Sequence, residues 1–289
     1  MKFLFVINPV SGGKSKENWE TSITEFFKDL PHTIQVFLLS GQDDSASIKH
    51  HIITWQPDRV VAVGGDGTLK AVAEHLVGTN IPLGIIPAGS ANGMATELGL
   101  PADVEQCLKI LLNGQVKKMD VIRINNKEIS IHLSDIGLNA LLIKYFEKNK
   151  GRGKWGYFKA VFRALWEKQL MTVHISADGI EEHRKAFMIV IANASKYGTG
   201  ALINPKGNLY DGKFELIIVR RLALAELFKM LVQNKQLNPN KIDTIIVQEV
   251  TLTPTRKAYF QVDGEYRGKT TKIHAAILPG QLSVILPNN

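Results

Sequence analysis

Three segments of the 289-residue chain carry residue types and spacings suited to holding a phosphate. They are Asn8-Pro9-Val10-Ser11-Gly12-Gly13, Gly64-Gly65-Asp66-Gly67-Thr68 and Pro87-Ala88-Gly89-Ser90-Ala91-Asn92. Each leaves an apolar, strand-like run and leads into a stretch with helical spacing. Glycines let the main chain approach a phosphate and aim N–H groups at it, and a helix N-terminus favours negative charge. Taken alone, any one of these loops is also what a tight strand–helix turn looks like. Three of them at one sheet edge point to phosphate chemistry, because a parallel sheet binds ligands beyond the carboxyl ends of its strands.

Two other matches are weaker. Asn8 to Ser15 reads N-P-V-S-G-G-K-S, one residue from a P-loop. Asn8 stands in place of the first glycine, and Pro9 removes a backbone donor. Gly151-Arg152-Gly153-Lys154-Trp155-Gly156 fits G-x-G-x-x-G literally but follows a charged helical stretch, not a strand, so the dinucleotide context is missing. A flexible basic turn is expected there.

The elements that must position the loops alternate. Strands are expected at Lys2–Ile7, Thr33–Leu39, Arg59–Val63 and Leu83–Ile86, and helices at Lys14–Leu30, Asp43–Trp55, Thr68–Val77, Ala91–Leu98 and Asp103–Leu112. This order predicts a doubly wound parallel α/β domain over residues 1–120. After Asp120 short β-rich segments recur between turn signals such as Asp178-Gly179, Asp211-Gly212 and Asp263-Gly264. The expected strands are Val121–Ile124, Glu128–Leu133, Thr172–Ala177, Ala186–Ala192, Phe214–Val219, Thr244–Thr253, Ala258–Val262, Ile273–Leu278 and Leu282–Leu286. Helices are expected at Leu138–Lys148, Lys154–Lys168 and Ala223–Asn234. Residues 121–289 therefore read as a mostly antiparallel β-rich domain, a sandwich or an open barrel, whose extreme C-terminus is free to return to the first domain.

With 45% hydrophobic and 21% charged residues the chain is globular and not disordered. The single Cys107 excludes an intrachain disulfide and fits core packing in a reducing, cytoplasmic setting. The apolar N-terminus is too short for a signal peptide and ends at Asn8-Pro9. The most apolar later stretch, Leu222–Val232, is interrupted by Glu226 and Lys229, so no membrane span is expected. A formal charge of +8 favours anionic partners. No nucleic-acid motif accompanies the charge, so nucleic acid is not expected.

Val63-Gly64-Gly65-Asp66-Gly67-Thr68 resembles the nucleotide-binding motif of the diacylglycerol kinase catalytic-domain family, which includes sphingosine kinases and bacterial lipid kinases. Asn8-Pro9 with Ser11-Gly12 resembles that family's first loop, and Pro87 to Asn92 its third. Asn204-Pro205 with Leu209-Tyr210-Asp211-Gly212, and Val262-Asp263-Gly264-Glu265, are similar to its later Asp-Gly motifs. The resemblance implies ATP at Asn8, Pro9, Ser11, Gly12, Gly64, Gly65, Asp66, Gly67, Thr68, Gly89, Ser90 and Asn92. It implies transfer of the γ-phosphoryl group to a lipid hydroxyl in an interdomain cleft, with Mg2+. By position, Asp66 lies at the phosphates, and Asp263 and Glu265 activate the acceptor. Asp211 serves the magnesium, helped by backbone carbonyls such as those of Asn208 and Lys213. Such a mechanism needs a metal and a carboxylate that orients or deprotonates the hydroxyl. Among glycines at a sheet edge, Asp66 is not expected to have a buried structural role. Asp263-Gly264 alone would be a type I′ hairpin turn.

The family commonly follows its glycine loop with Asn-Glu, where this chain has Lys70-Ala71, and puts an acidic residue where Gly93 stands. Lys70 is expected either to meet a phosphate or to face solvent. The rival readings are an NAD-kinase-like enzyme and a catalytically weak nucleotide- or lipid-binding regulator. Lys144–Lys168 interleaves eight basic residues with Trp and Phe. That composition suits either an inward-packing helix or peripheral docking on an anionic membrane, at the inner face. The oligomeric state stays open, a homo-oligomer included.

Overall fold

Lys2–Ile7 (β1) buries Phe3, Phe5 and Ile7 on one side and Leu4 and Val6 on the other. A strand covered on both faces belongs in the middle of a parallel sheet. In the computed structural model, which describes residues 1–12, 19–148, 170–196, 202–220 and 241–288, that is where β1 lies. The chain divides into two compact units, 1–119 with 280–289, and 120–279.

In the first unit, β1 is followed by α1 (Trp19–Phe27), β2 (Thr33–Leu38), α2 (Asp44–Trp55), β3 (Arg59–Gly64), α3 (Asp66–Ala73), β4 (Leu83–Pro87), α4 (Gly93–Glu97) and α5 (Val104–Asn113). The strand order is β2-β1-β3-β4, all parallel. The direction of winding reverses between β1 and β3, which makes their carboxyl ends the switch point where such sheets bind ligands. Phe3, Phe5 and Ile7 pack against Ile23 and Phe27 of α1 and Cys107, Leu108 and Leu111 of α5. Burial, with Asp103 nearby, pushes the Cys107 thiol up to about 11, so it stays protonated.

In the second unit come β5 (Gln115–Ile124, beginning in the first unit), β6 (Glu128–Ser130), β7 (Leu133–Gly137), α6 (Leu138–Lys148), β8 (Met171–Ala177), β9 (Ile180–Ala186), β10 (Met188–Ala192) and β11 (Phe214–Val219). They are followed by β12 (Ile242–Val247), β13 (Glu249–Pro254), β14 (Ala258–Val262), β15 (Glu265–Thr270) and β16 (Ile273–Leu286). One antiparallel sheet runs β12-β11-β10-β7-β14-β15, and the other joins β9, β8, β13 and the start of β16. The end of β16 belongs to the first unit, where Val284 pairs in parallel with Leu83 of β4. Alternate residues of β11 divide between two cores. Phe214, Leu216 and Ile218 enter the core shared with the other sheet, while Ile217 and Val219 enter the one that includes Leu138 and Leu141 of α6. The architecture is thus a parallel α/β domain followed by an antiparallel β-sheet domain.

Several element expectations need correction. The helix expected from Thr68 begins at Asp66 and ends at Ala73. The single strand expected over Glu128–Leu133 breaks into β6 and β7, because the N–H groups of Ile131 and His132 turn to the Asp263 carboxylate. The strand expected over Thr244–Thr253 splits at Gln248 and serves both sheets. Strands β9 and β15 were not expected, since IEEHRKA and EYRGKT are polar. As sheet edges they need no apolar face on the solvent side. The expected helices Lys154–Lys168 and Ala223–Asn234, the Gly151–Gly156 turn, residues 13–18 and the greater part of the Lys144–Lys168 docking stretch lie outside the described residues. Among the described residues no helix is long and apolar enough to cross a membrane.

Candidate active site

In the first unit the three phosphate-suited loops leave β1, β3 and β4 and interlock. Asn8 Nδ2 donates to Thr68 Oγ1 at 3.2 Å, and Asn8 Oδ1 accepts from Val10 N. Ser11 N closes a turn onto Asn8 O with Pro9 in its second position, where a fixed φ suits a β-turn. Gly12 is held at φ +81°, and a Cβ there would stand 2.7 Å from the Ala88 carbonyl oxygen. A Cβ on Gly89 would stand 2.4 Å from Gly65 Cα, so the second and third loops touch main chain to main chain. Asn92, itself left-handed at φ 53°, accepts from Gly89 N and donates to Gly89 O, which locks the third loop around Ser90. Gly64, Gly65, Asp66, Pro87 and Asn92 line one depression, while Gly67 and Ser90 are exposed beside it.

Asp66 is half-buried and tied to the third loop's helix. Its two carboxylate oxygens accept from Gly93 N at 2.9 Å and Met94 N at 3.0 Å. A residue of the second loop thus pins the start of α4 behind the third, a structural role that glycine-rich surroundings did not suggest. Of the two alternatives for Lys70, the solvent-facing one is overturned. Lys70 is only 4% exposed, on the inner side of α3, and so does not face solvent.

In the second unit, Asp263 and Gly264 link β14 to β15 with φ of 49° and 88°, and Val262 pairs with Glu265. This is a two-residue hairpin of the I′ kind. The same Asp263 carries a carboxylate that accepts three hydrogen bonds. Oδ1 takes Ser130 Oγ at 2.7 Å and His132 N at 3.0 Å, and Oδ2 takes Ile131 N at 2.9 Å. A carboxylate has about four lone-pair sites, so Oδ2 keeps one for a further donor. Glu265 does not join it. Its carboxylate pairs with Arg267, which also pairs with Glu128.

Sequence reasoning missed Ser130, His132 and Asn193 around Asp263. Ser130 and His132 are buried polar residues in an otherwise apolar run, and that is the one signal that could have found them. The buried His132 Nε2 and Asn193 Oδ1 have no partner among the described residues. Beneath the hairpin, Gln261 Oε1 accepts from Gly264 N, while its Nε2 donates to Asp135. Asp135 is fully buried and also accepts from Asn139 Nδ2 and Ala140 N. Burial pushes its carboxyl up to about 6, although these hydrogen bonds oppose the shift. A carboxyl raised above its ordinary 3.8 favours the fold fully below about pH 3.8, and that favour is lost as pH rises through about 6. Urea unfolding of Asp135→Asn beside the parent should therefore show the variant gaining up to about 3 kcal/mol relative to the parent between pH 4 and pH 7. A difference independent of pH would mean that Asp135 titrates normally.

At the Asp211-Gly212 turn, Asp211 Oδ1 accepts from Lys213 N at 3.1 Å, and Asn208 Oδ1 accepts from Tyr210 N. Gly212 N donates to Asp120, and Asn204 Nδ2 donates to Glu215 Oε2 at 2.7 Å. Burial raises the Glu215 carboxyl, and the negative charge of Asp211 adds to it. Among the described residues no three His, Cys, Asp or Glu side chains are grouped to hold a metal. The exposed Asp211 carboxylate is an oxygen donor of the kind magnesium accepts while keeping several waters.

The diacylglycerol kinase catalytic domain model matches residues 2–124, and the YegS C-terminal NAD kinase beta sandwich-like domain model matches residues 135–286. A Citrobacter koseri protein named probable lipid kinase YegS-like is 30% identical over 80% of this chain and 78% of its own length. An uncharacterized Synechocystis protein is 28% identical over 79% of this chain, which spans only 54% of that relative. The fold is shared with a diacylglycerol kinase from Bacillus anthracis strain Sterne, at TM-score 0.73, 21% identity and 99% and 96% coverage. It is shared more distantly with an ATP-bound NAD kinase from Archaeoglobus fulgidus, at TM-score 0.59, 16% identity and 99% and 93% coverage. With both domain models matched in order, the chain belongs to the diacylglycerol kinase catalytic-domain family, among the YegS-type lipid kinases.

Proposed function

We propose that the chain transfers the γ-phosphoryl group of ATP to the hydroxyl of a diacylglycerol- or sphingoid-like lipid. The observation that most supports this reading is the interlocking of the three glycine-bearing loops at the carboxyl ends of β1, β3 and β4. Phosphoryl transfer relies on positioning and charge stabilisation more than on covalent chemistry, and rigid main chain at a switch point supplies positioning. In this reading Asp66 holds the loops in register, and the remaining lone pair of Asp263 takes the proton of the acceptor hydroxyl. Glu265, paired with Arg267, orients and does not deprotonate. Asp211 and its neighbouring carbonyls hold a magnesium, which when bound neutralises charge on the phosphates. The protein meets its lipid at an anionic membrane surface.

The test is incubation with labelled ATP, magnesium and a panel of diacylglycerols, sphingoid bases and NAD. A phosphorylated lipid is expected. Phosphorylated NAD would move the chain to the NAD-kinase reading, and ATP binding without any transfer would make it a regulator. Asp211→Ala should raise the magnesium concentration for half-maximal turnover at least about tenfold, as loss of one charged oxygen ligand implies. An unchanged magnesium titration would leave Asp211 with its turn alone.

A further inference from the structure

At the other end of β14 from Asp263 the second unit holds a cavity of about 440 Å³, within the roughly 300–1,000 Å³ usual for small-molecule sites. Its construction starts from two turns. Gly137, at φ 111°, bends the end of β7 into α6, and Thr255 N donates to Thr172 O, which ties the β13–β14 turn to β8. That turn carries Arg256 and Lys257 to the rim, and β15 adds Lys269. All three are exposed, and among the described residues none has a carboxylate partner. Tyr259 concentrates the charge further. The Lys269 and Lys144 ammonium groups each lie 4.5 Å from its ring centroid, and Lys144 also donates to its hydroxyl at 3.2 Å. Several cations at one mouth, with no acid among the described residues that line it, repel one another, and an anion seated there would relieve that repulsion.

The inner wall is of the opposite character. Leu138 and Leu141 of α6 and Met171 of β8 line it, and Leu170 stands 51% exposed. An inorganic anion would gain nothing from these side chains, whereas an acyl chain would bury apolar surface against them. We infer that this cavity binds an anionic amphiphile, a lipid whose phosphate headgroup sits on Arg256, Lys257 and Lys269 and whose acyl chain enters against Leu141 and Met171. It is not where an acceptor hydroxyl would meet Asp263. Ala258 at the cavity and Asp263 are five residues apart along β14, about 16 Å at about 3.3 Å per residue. The site is thus a second lipid contact of the chain, independent of whether it transfers phosphate.

Calorimetric titration of the full chain, without ATP, with dihexanoyl phosphatidate below its micellar concentration tests this. Saturable binding is expected, with dihexanoyl phosphatidylcholine and inorganic phosphate each weaker by at least about tenfold, or about 1.4 kcal/mol. The double variant Arg256→Glu/Lys257→Glu, altered only at exposed positions, should keep the parent's melting temperature and lose phosphatidate binding at least about tenfold. Leu170→Glu should weaken phosphatidate and leave inorganic phosphate unchanged. Absent phosphatidate binding, a double variant that binds like the parent, or inorganic phosphate binding as tightly as the lipid, would each overturn the proposal.

Discussion

Asp66→Asn is expected to lower phosphoryl transfer about a hundredfold, the usual cost of disturbing a preorganised electrostatic site, and to raise the KM for ATP with it. The two carboxylate oxygens accept from Gly93 and Met94, the first two N–H groups of α4. An asparagine offers one oxygen and turns an NH2 toward the other donor. One main-chain N–H is then left unpaired in a partly buried place, at about 1–3 kcal/mol. That is enough to let the third loop move off Gly65, which Gly89 now touches main chain to main chain. Both constants should change because, in the proposed function, the loop holds nucleotide before and during transfer. Hydrogen exchange across residues 87–94 should accelerate in the variant while the strands of the same sheet stay protected. Normal exchange with lost turnover would place Asp66 at the phosphates directly, and normal turnover would remove these loops from the chemistry.

The parallel half of the fold was legible because its signals are local. Phe3, Leu4, Phe5, Val6 and Ile7 form a run buried on both faces, as a central strand requires, and α5 carries its apolar residues at helical spacing up to Gly114. The antiparallel half was legible where one face is wet, as in β8, whose buried residues Val173, Ile175 and Ala177 alternate with less buried ones. It was not legible at β9 and β15, because an edge strand is defined by its neighbour and not by its own hydrophobicity. Turn chemistry marked Asp263-Gly264, where both residues take positive φ. What the carboxylate does there depends on Ser130, Ile131 and His132, more than 130 residues away in the chain. Side-chain acceptors are satisfied across such distances by tertiary structure, and no local spacing encodes them. Lys70 shows the same limit. Its position one turn into α3 is readable, but whether that side of the helix faces water is decided by what packs on it.

Asp263→Asn should cost the second unit about 2–4 kcal/mol in unfolding free energy, and should lower kcat about a thousandfold with little change in KM for ATP. The two effects have different origins. Stability falls because the amide can accept from Ser130 and His132 through its single oxygen but points an NH2 at Ile131 N, where Oδ2 now accepts. Transfer falls because the spare lone pair on Oδ2, the one able to take a proton from an alcohol, no longer exists. Ser130→Ala separates the two. It removes one of the three bonds to the carboxylate and leaves the carboxylate in place, so it should cost about 1 kcal/mol and at most about tenfold in turnover. Substituting Glu265 should be milder than either. Its charge is already engaged by Arg267, and Arg267 retains Glu128 when Glu265 is lost. If Asp263→Asn loses stability yet transfers phosphate at the parent rate, the residue anchors the hairpin to the β6–β7 corner and has no part in activating the acceptor.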